Sequence, residues 1–338
     1  MKAFVLAAGA GTRLRPLTSN IPKPMVPILG RPALYYTLNN LKKYGFKDIC
    51  INLFHCPEVI SAYFNKKETG LTLKYSLEKK LMGTAGAVKK NEMFFDDTFV
   101  VMSGDGLTDI NLNKALDFHK KNKSLATIVL KKIEARLDYG LTVTDKKGRI
   151  KTFIEKPCWG DIFTNTVNTG IYIFEPEIFK FMPKNKFFDF SMDLFPLLLK
   201  NNKRIYGYVT DEYWTDIGNI NEYKKGIFDI LDGKVSIPVY VPKKGDKYIS
   251  PDAVIDKSVK IKGPCFIDAN VVIRKNSVIE PYSVLSSGCV VGENVLIEKS
   301  VIWAKSRIGN NVCLSNTVIG NKTNIHKGIN LFDSIMMG

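Results

Sequence analysis

Apolar residues follow two different rhythms along this chain, and the change comes near residue 235. Before it, short apolar runs that read as buried strands alternate with helical spacings. Residues 4–7 form the first such run, and a glycine-rich loop follows. Over 31–44 the positions Leu34, Leu38 and Leu41 recur at helical spacing, with Gly45 placed to stop the helix. The same reading predicts a strand at 48–53, a short helix at 58–64, a strand at 98–102, a helix at 112–121 and a strand at 125–130. That repeated βα order predicts an α/β domain with a doubly wound, mainly parallel sheet.

Beyond 235 the spacing becomes strictly periodic. A large apolar residue recurs at every sixth position: Ile249, Ile255, Ile261, Ile267, Ile273, Ile279, Leu285, Val291, Ile297 and Trp303. Four residues after each of the first nine stands a small or β-branched one, among them Ala253, Val271, Ser277, Cys289 and Val295. Two inward positions per hexad predict a parallel β-helix in which each hexad is one flat side and three sides make a prism. After Trp303 the register slips by one at Ile308 and again at Ile319, so the last coil or two are expected to be irregular or capping. The intervening 235–248 segment carries Pro238, Pro242 and Gly245 and is expected to link a domain at 1–234 to one at 249–338.

Composition narrows the functional classes. With 45% hydrophobic and 24% charged residues, the chain is near the average for soluble globular proteins, which excludes wholesale disorder, collagen and coiled coil. No apolar stretch reaches the ~18 residues of a membrane span, and residues 3–10 run into Arg13 and Arg15 without a cleavage-site pattern, so a cytoplasmic, unanchored protein is expected. The net charge of +16 raises nucleic acid as a partner. Yet the lysines are scattered in pairs such as Lys42-Lys43 and Lys131-Lys132, without a basic arm or an aromatic-studded RNA motif, so no nucleic-acid partner is expected. The six cysteines stand singly, and three histidines cannot complete zinc sites with them; reduced, mostly buried thiols are expected.

The sharpest chemical signal is Gly9-Ala10-Gly11-Thr12-Arg13-Leu14-Arg15-Pro16-Leu17-Thr18, directly after the first strand, followed by Pro22-Lys23-Pro24-Met25. Leu14 replaces the third glycine of a dinucleotide fingerprint, and no Gly-Lys-Ser/Thr of a P-loop follows. What remains is a loop whose backbone N–H groups can converge on an anion, with Arg13 and Lys23 available to neutralise a triphosphate; an ordinary βα turn with two surface cations is the competing reading.

With its flanking residues, the run Leu6-Ala7-Ala8-Gly9-Ala10-Gly11-Thr12-Arg13-Leu14-Arg15-Pro16-Leu17-Thr18 with Pro22-Lys23-Pro24-Met25 resembles the signature of the sugar-1-phosphate nucleotidyltransferases. Further matches follow in order at Gly83-Thr84-Ala85-Gly86-Ala87, Ser103-Gly104-Asp105, Tyr139-Gly140, Phe153-Ile154-Glu155-Lys156-Pro157, Asn168-Thr169-Gly170 and Trp214-Thr215-Asp216-Ile217-Gly218. The branch most similar in appearance is the bacterial mannose-1-phosphate guanylyltransferase type. The resemblance implies a Rossmann-like nucleotidyltransferase domain followed by a left-handed β-helix, and an enzyme that makes an NDP-sugar and pyrophosphate from a nucleoside triphosphate and a sugar 1-phosphate.

Residue by residue, the resemblance makes Arg13 and Lys23 the catalytic cations on the triphosphate. It makes Ala8, Gly9, Gly11, Thr12, Gly83 and Thr84 the nucleotide-binding set. Gly140, Glu155, Lys156 and Asn168 would hold the sugar phosphate, and Asp105 and Asp216 would hold Mg²⁺. His55, His119 and His326 match no catalytic position. Guanine is implied by the branch, but Ala7-Ala8-Gly9-Ala10-Gly11 departs from the Gly-Gly-x-Gly more usual there, so uridylyl, adenylyl and thymidylyl transfer stay open. A histidine-dependent acyltransferase built on the hexads would have only His326 to use. A non-catalytic regulatory homologue would be expected to lack Arg13, Lys23, Asp105 or Asp216, and all four are present. A homo-oligomer assembled through the β-helix is expected.

Overall fold

The structure, a computed structural model, describes residues 1–67, 69–133, 140–154 and 165–338. Packing divides them into two compact units: Met1–Gly11, Asn20–Met25 and Ala33–Asp216 in the first, Thr12–Ser19, Val26–Pro32 and Ile217–Gly338 in the second.

The first unit is built on one nine-stranded sheet. Lys2–Leu6 lies inside it, parallel to Asp48–Leu53 on one side and to Phe99–Ser103 on the other. Successive residues of these strands point to opposite faces. Val5, Ile51 and Val100 join one core with Leu34 and Leu38, while Phe4, Cys50 and Val101 join a second, phenylalanine-rich core. Covering both faces explains why the strands read as continuous apolar runs rather than alternating ones. The helices at Ala33–Lys43 and Leu112–Lys121 fall where the spacing puts them, and Gly45, at φ +82°, ends the first. The sheet is less parallel than expected, because the long strand Thr166–Phe174 runs antiparallel to both Phe99–Ser103 and Ala126–Lys132.

The second unit is a three-sided parallel β-helix with a helix, Ile220–Leu231, packed in the same unit. Tyr223 on that helix is fully buried; its hydroxyl donates to the Pro27 carbonyl at 2.6 Å and accepts from Trp303 Nε1 at 2.8 Å. By packing, the second unit therefore begins upstream of the 235–248 segment.

Each side of the prism is a ladder of short parallel strands. One ladder runs Lys247–Ile249, Cys265–Ile267, Ser283–Leu285, Val301–Ile302, Val318–Ile319 and Ile335–Met336. Ile302, not Trp303, pairs with Leu285 in this ladder, so the register shortens before Trp303. The same shortening recurs between Leu314 and Ile319 and between Leu331 and Met336, at one corner of every later coil. The last coils are thus regular coils of seventeen residues, paired to the end (Val301↔Val318↔Ile335), and the expectation of irregular or capping coils is corrected. Trimming a corner by one residue leaves the flat sides in register, which a count of sixes cannot distinguish from decay of the repeat.

Candidate functional site

The carboxyl ends of Lys2–Leu6 and Phe99–Ser103 lie side by side, with Leu6 opposite Ser103. Gly104 N–H donates to the Leu6 carbonyl at 2.9 Å, and a Cβ at Gly104 would stand 3.1 Å from that oxygen. Glycine therefore lets the chain turn off the sheet here, and Asp105 follows. The next strand, Gly106–Thr108, pairs antiparallel with Trp214–Asp216, with Gly106 opposite Asp216. This small ribbon brings two carboxylates that are far apart in sequence to one place.

Lys23 joins them. Its Nζ lies 2.5 Å from Asp105 Oδ2 and 3.0 Å from Asp216 Oδ1, with the side chain 11% exposed. Burial by itself would lower the ammonium's pKa, but Asp105 and Asp216 outweigh it and hold the pKa above its ordinary value. Burial would likewise raise the Asp105 pKa, and Lys23 together with the Ser103 hydroxyl holds it below the usual carboxylate range.

Beside this triad opens a cavity of about 280 Å³. Ala8, Gly9, Lys23, Gly83, Thr84 and Asp105, six of the residues expected at the site, line it. A Cβ on Gly9 would meet nothing within 4 Å, so packing does not require glycine there and the loop leaves room over its backbone. Gly83 is different: φ is +73°, and a Cβ would come within 2.5 Å of the Phe188 carbonyl. Thr84 is fixed from the same side, donating to Asp189 Oδ2 and accepting from Phe190 N–H, both at 2.8 Å.

The other expected residues fall elsewhere. Thr12 and Arg13 belong to the second compact unit, in a short turn at Thr12–Leu14 that leaves Arg13 exposed. Asn168 N–H donates to the Gly140 carbonyl at 2.9 Å, and its side chain bonds Gly170 N–H and the Tyr172 hydroxyl, each at 3.0 Å; neither Gly140 nor Asn168 is in the cavity wall. Glu155 and Lys156 lie outside the described residues.

Sequence reasoning missed a buried relay in the cavity wall. Asn52 Oδ1 accepts from Ala7 N–H at 2.7 Å, Asn52 Nδ2 donates to Glu78 Oε1 at 2.7 Å, and Glu78 Oε2 accepts from Met82 N–H at 2.9 Å. Glu78 is only 4% exposed. A polar residue ending an apolar strand was the available signal for Asn52. Glu78 gave none, because Glu78-Lys79-Lys80 reads as an ordinary solvated charge run.

An α/β fold with a cavity at the carboxyl ends of its central strands suits a nucleotide-handling enzyme, and comparison with known proteins says which kind. Residues 2–233 match the family model described as nucleotidyl transferase, and 261–338 match the GMPPB C-terminal domain. The chain belongs to the nucleotidyl transferase family and is a sugar-1-phosphate nucleotidyltransferase, forming a nucleotide sugar and pyrophosphate. It is 37% identical to a UTP–glucose-1-phosphate uridylyltransferase from Synechocystis sp., over 91% of this chain and 84% of that one. It is 30% identical to a mannose-1-phosphate guanylyltransferase from Mycobacterium tuberculosis, over 89% and 82%. Among solved structures, HddC from Yersinia pseudotuberculosis matches with a TM-score of 0.60 and 28% identity, covering 68% of this chain and 99% of that one.

Proposed function

We propose that the chain transfers a guanylyl group from GTP to mannose 1-phosphate. One observation carries the choice of base: the acceptor-only carboxylate of Glu78 in the cavity wall. Each of its oxygens already takes one protein N–H and keeps a lone pair, a match for the adjacent N1–H and 2-amino donors of guanine. Uracil offers one N–H between two carbonyls, which a carboxylate repels. A screen of pyrophosphate release from GTP, UTP, ATP and dTTP with mannose and glucose 1-phosphates tests this, with GTP and mannose 1-phosphate expected to turn over fastest. Glu78→Gln should shift the GTP:UTP preference by about tenfold or more, the scale of one charge-assisted hydrogen bond. The 37% identity to a uridylyltransferase favours a second reading, UTP with glucose 1-phosphate, and a screen led by that pair establishes it instead.

The reaction needs no general base. A sugar phosphate oxygen attacks the α-phosphorus in line, the new O–P bond forms as the bridging P–O bond breaks, and pyrophosphate leaves with the electron pair. The obstacle is the approach of two anions, so cations and positioning do the work. Lys23 and Arg13 serve the triphosphate, Lys156 the sugar phosphate, with Glu155, Gly140 and Asn168 around the sugar. Ala8, Gly9, Gly11, Thr12, Gly83 and Thr84 take the nucleotide.

Asp105 and Asp216 fit Mg²⁺. Their oxygens converge on one ammonium and leave a net negative charge, the hard donor set that a hydrated divalent ion accepts. Among the described residues no cluster of three or more such ligands exists, so a bound ion would complete its shell with phosphate oxygens and water. When bound, it would supply charge neutralisation at the phosphates.

The reading includes a cytoplasmic location and a homo-oligomer. Among the described residues no helix is long and apolar enough to cross a membrane, and Cys50, Cys56, Cys265, Cys289 and Cys313 are free thiols, as a reducing compartment allows. Light scattering tests the oligomer.

A further inference from the structure

Lys23 was expected to face a triphosphate, yet its ammonium sits on the two carboxylates proposed for the metal. Both contacts are at ion-pair distance, and the group is nearly buried. Without a cation at this point, Asp105 and Asp216 would be two like charges in a poorly solvated place with nothing between them to compensate either. Lys23 therefore neutralises a site that a divalent ion would otherwise fill. Its backbone is held in the short turn Lys23–Met25, with Pro22 and Pro24 on either side of Lys23 and Met25 N–H bonded to the Pro22 carbonyl at 2.8 Å, so any movement of the ammonium must come from the long side chain. Lys23 and Gly9 both line the open cavity beside it.

We propose that Lys23 is an exchangeable internal cation: it occupies the Asp105–Asp216 pair in the substrate-free enzyme and surrenders it to a divalent ion only when a triphosphate arrives to take the ammonium. This rests on the nucleotidyl transfer reading and adds an order to it. Metal alone must displace an ammonium that then has no partner. Metal with triphosphate exchanges one set of ion pairs for another, leaving no charge stranded. Binding of metal and triphosphate is then positively coupled, and by linkage each tightens the other by the same factor. The arrangement also keeps the metal-ligating carboxylates closed until substrate is present.

Equilibrium Mn²⁺ binding, counted by electron paramagnetic resonance on the full chain without nucleotide, tests this apart from turnover. The wild-type chain is expected to saturate only in the millimolar range. Lys23→Met and Lys23→Gln should bind Mn²⁺ about tenfold or more tightly, since removing one partner of a buried pair leaves the other seeking a cation. Adding Asp105→Asn to Lys23→Met should abolish the gain. Equal affinity in wild type and folded variants overturns the proposal. So does micromolar saturation of the wild-type chain, a result that stands even if neither variant folds. Pyrophosphate release is scored separately: its absence with every substrate pair defeats the functional reading, whereas Mn²⁺-dependent release with no change in metal affinity at Lys23 defeats only the exchange.

Discussion

The two compact units bury polar side chains for opposite purposes. In the β-helix, the buried hydroxyls of Ser277, Ser283 and Ser306 donate to the carbonyls of Gly292, Ile297 and Gly320, so each polar group is consumed by the neighbouring coil. In the first unit, Lys23 pairs with Asp105 and Asn52 donates to Glu78, two separate contacts in the wall of an open cavity. The difference teaches where chemistry can reside. A stacked repeat offers these buried hydroxyls a carbonyl on the next coil by translation, whereas strands that end at a crossover leave polar side chains facing space.

The largest test of that contrast is Asp105→Asn. Transfer should fall by roughly 10²–10³-fold, the scale of losing one preorganised charge group, while thermal unfolding shows the fold intact. Unchanged turnover in the folded variant would remove Asp105 from the site. Ile297→Ala, in the apolar core of the prism, should do the reverse: a stability loss of about 2–5 kcal/mol for a cavity among close-packed coils, with kcat of the folded chain retained. A rate that falls in step with stability would give the β-helix a share in the chemistry.

A smaller effect separates the two substrates. Lys156→Ala should raise KM for the sugar 1-phosphate by about tenfold and leave KM for the triphosphate nearly unmoved. Steady-state kinetics varying each substrate decides it, and a larger defect for the triphosphate would exchange the two roles.

The smallest effect is acid softening of the first unit. His119 is fully buried between Thr127 Oγ1 at 2.8 Å and Glu175 Oε1 at 3.0 Å. Burial lowers its pKa against the opposing pull of Glu175. The unfolded chain then binds the proton first, so stability contributed by the neutral ring falls as pH drops below ~6.5. His326, in the β-helix, is exposed. Thermal scans between neutral and mildly acid pH should show the first unit melting earlier while the second holds, and His119→Gln should flatten that dependence. A loss shared equally by both units would contradict it.

Much of this was legible along the chain. The strand at Asp48–Leu53 and the helix at Leu112–Lys121 were readable to the residue, because burial of a whole strand or of one helix face writes a period into the sequence. The hexads were readable for the same reason through Ile297. The later coils were misjudged because a trimmed corner shifts the count without shifting the ladder. At the site, Asp105, Asp216, Lys23, Gly9 and Thr84 stood out by their motifs, whereas Asn52 and Glu78 did not.

By itself, then, the sequence determined the alternation of elements, the repeat and the cast of charged residues, since each depends on local spacing and side-chain chemistry. Which charges meet was decided only by the tertiary structure. Lys23 rests on Asp105 and Asp216 because an antiparallel ribbon pairs Gly106 with Asp216 beside the end of a parallel strand, a register that no local pattern encodes. Glu78 turns from a surface-like charge into a buried acceptor because Asn52 and Met82 N–H converge on it across separate elements. Electrostatic energy falls off with distance in space rather than along the chain, and folding is what sets that distance.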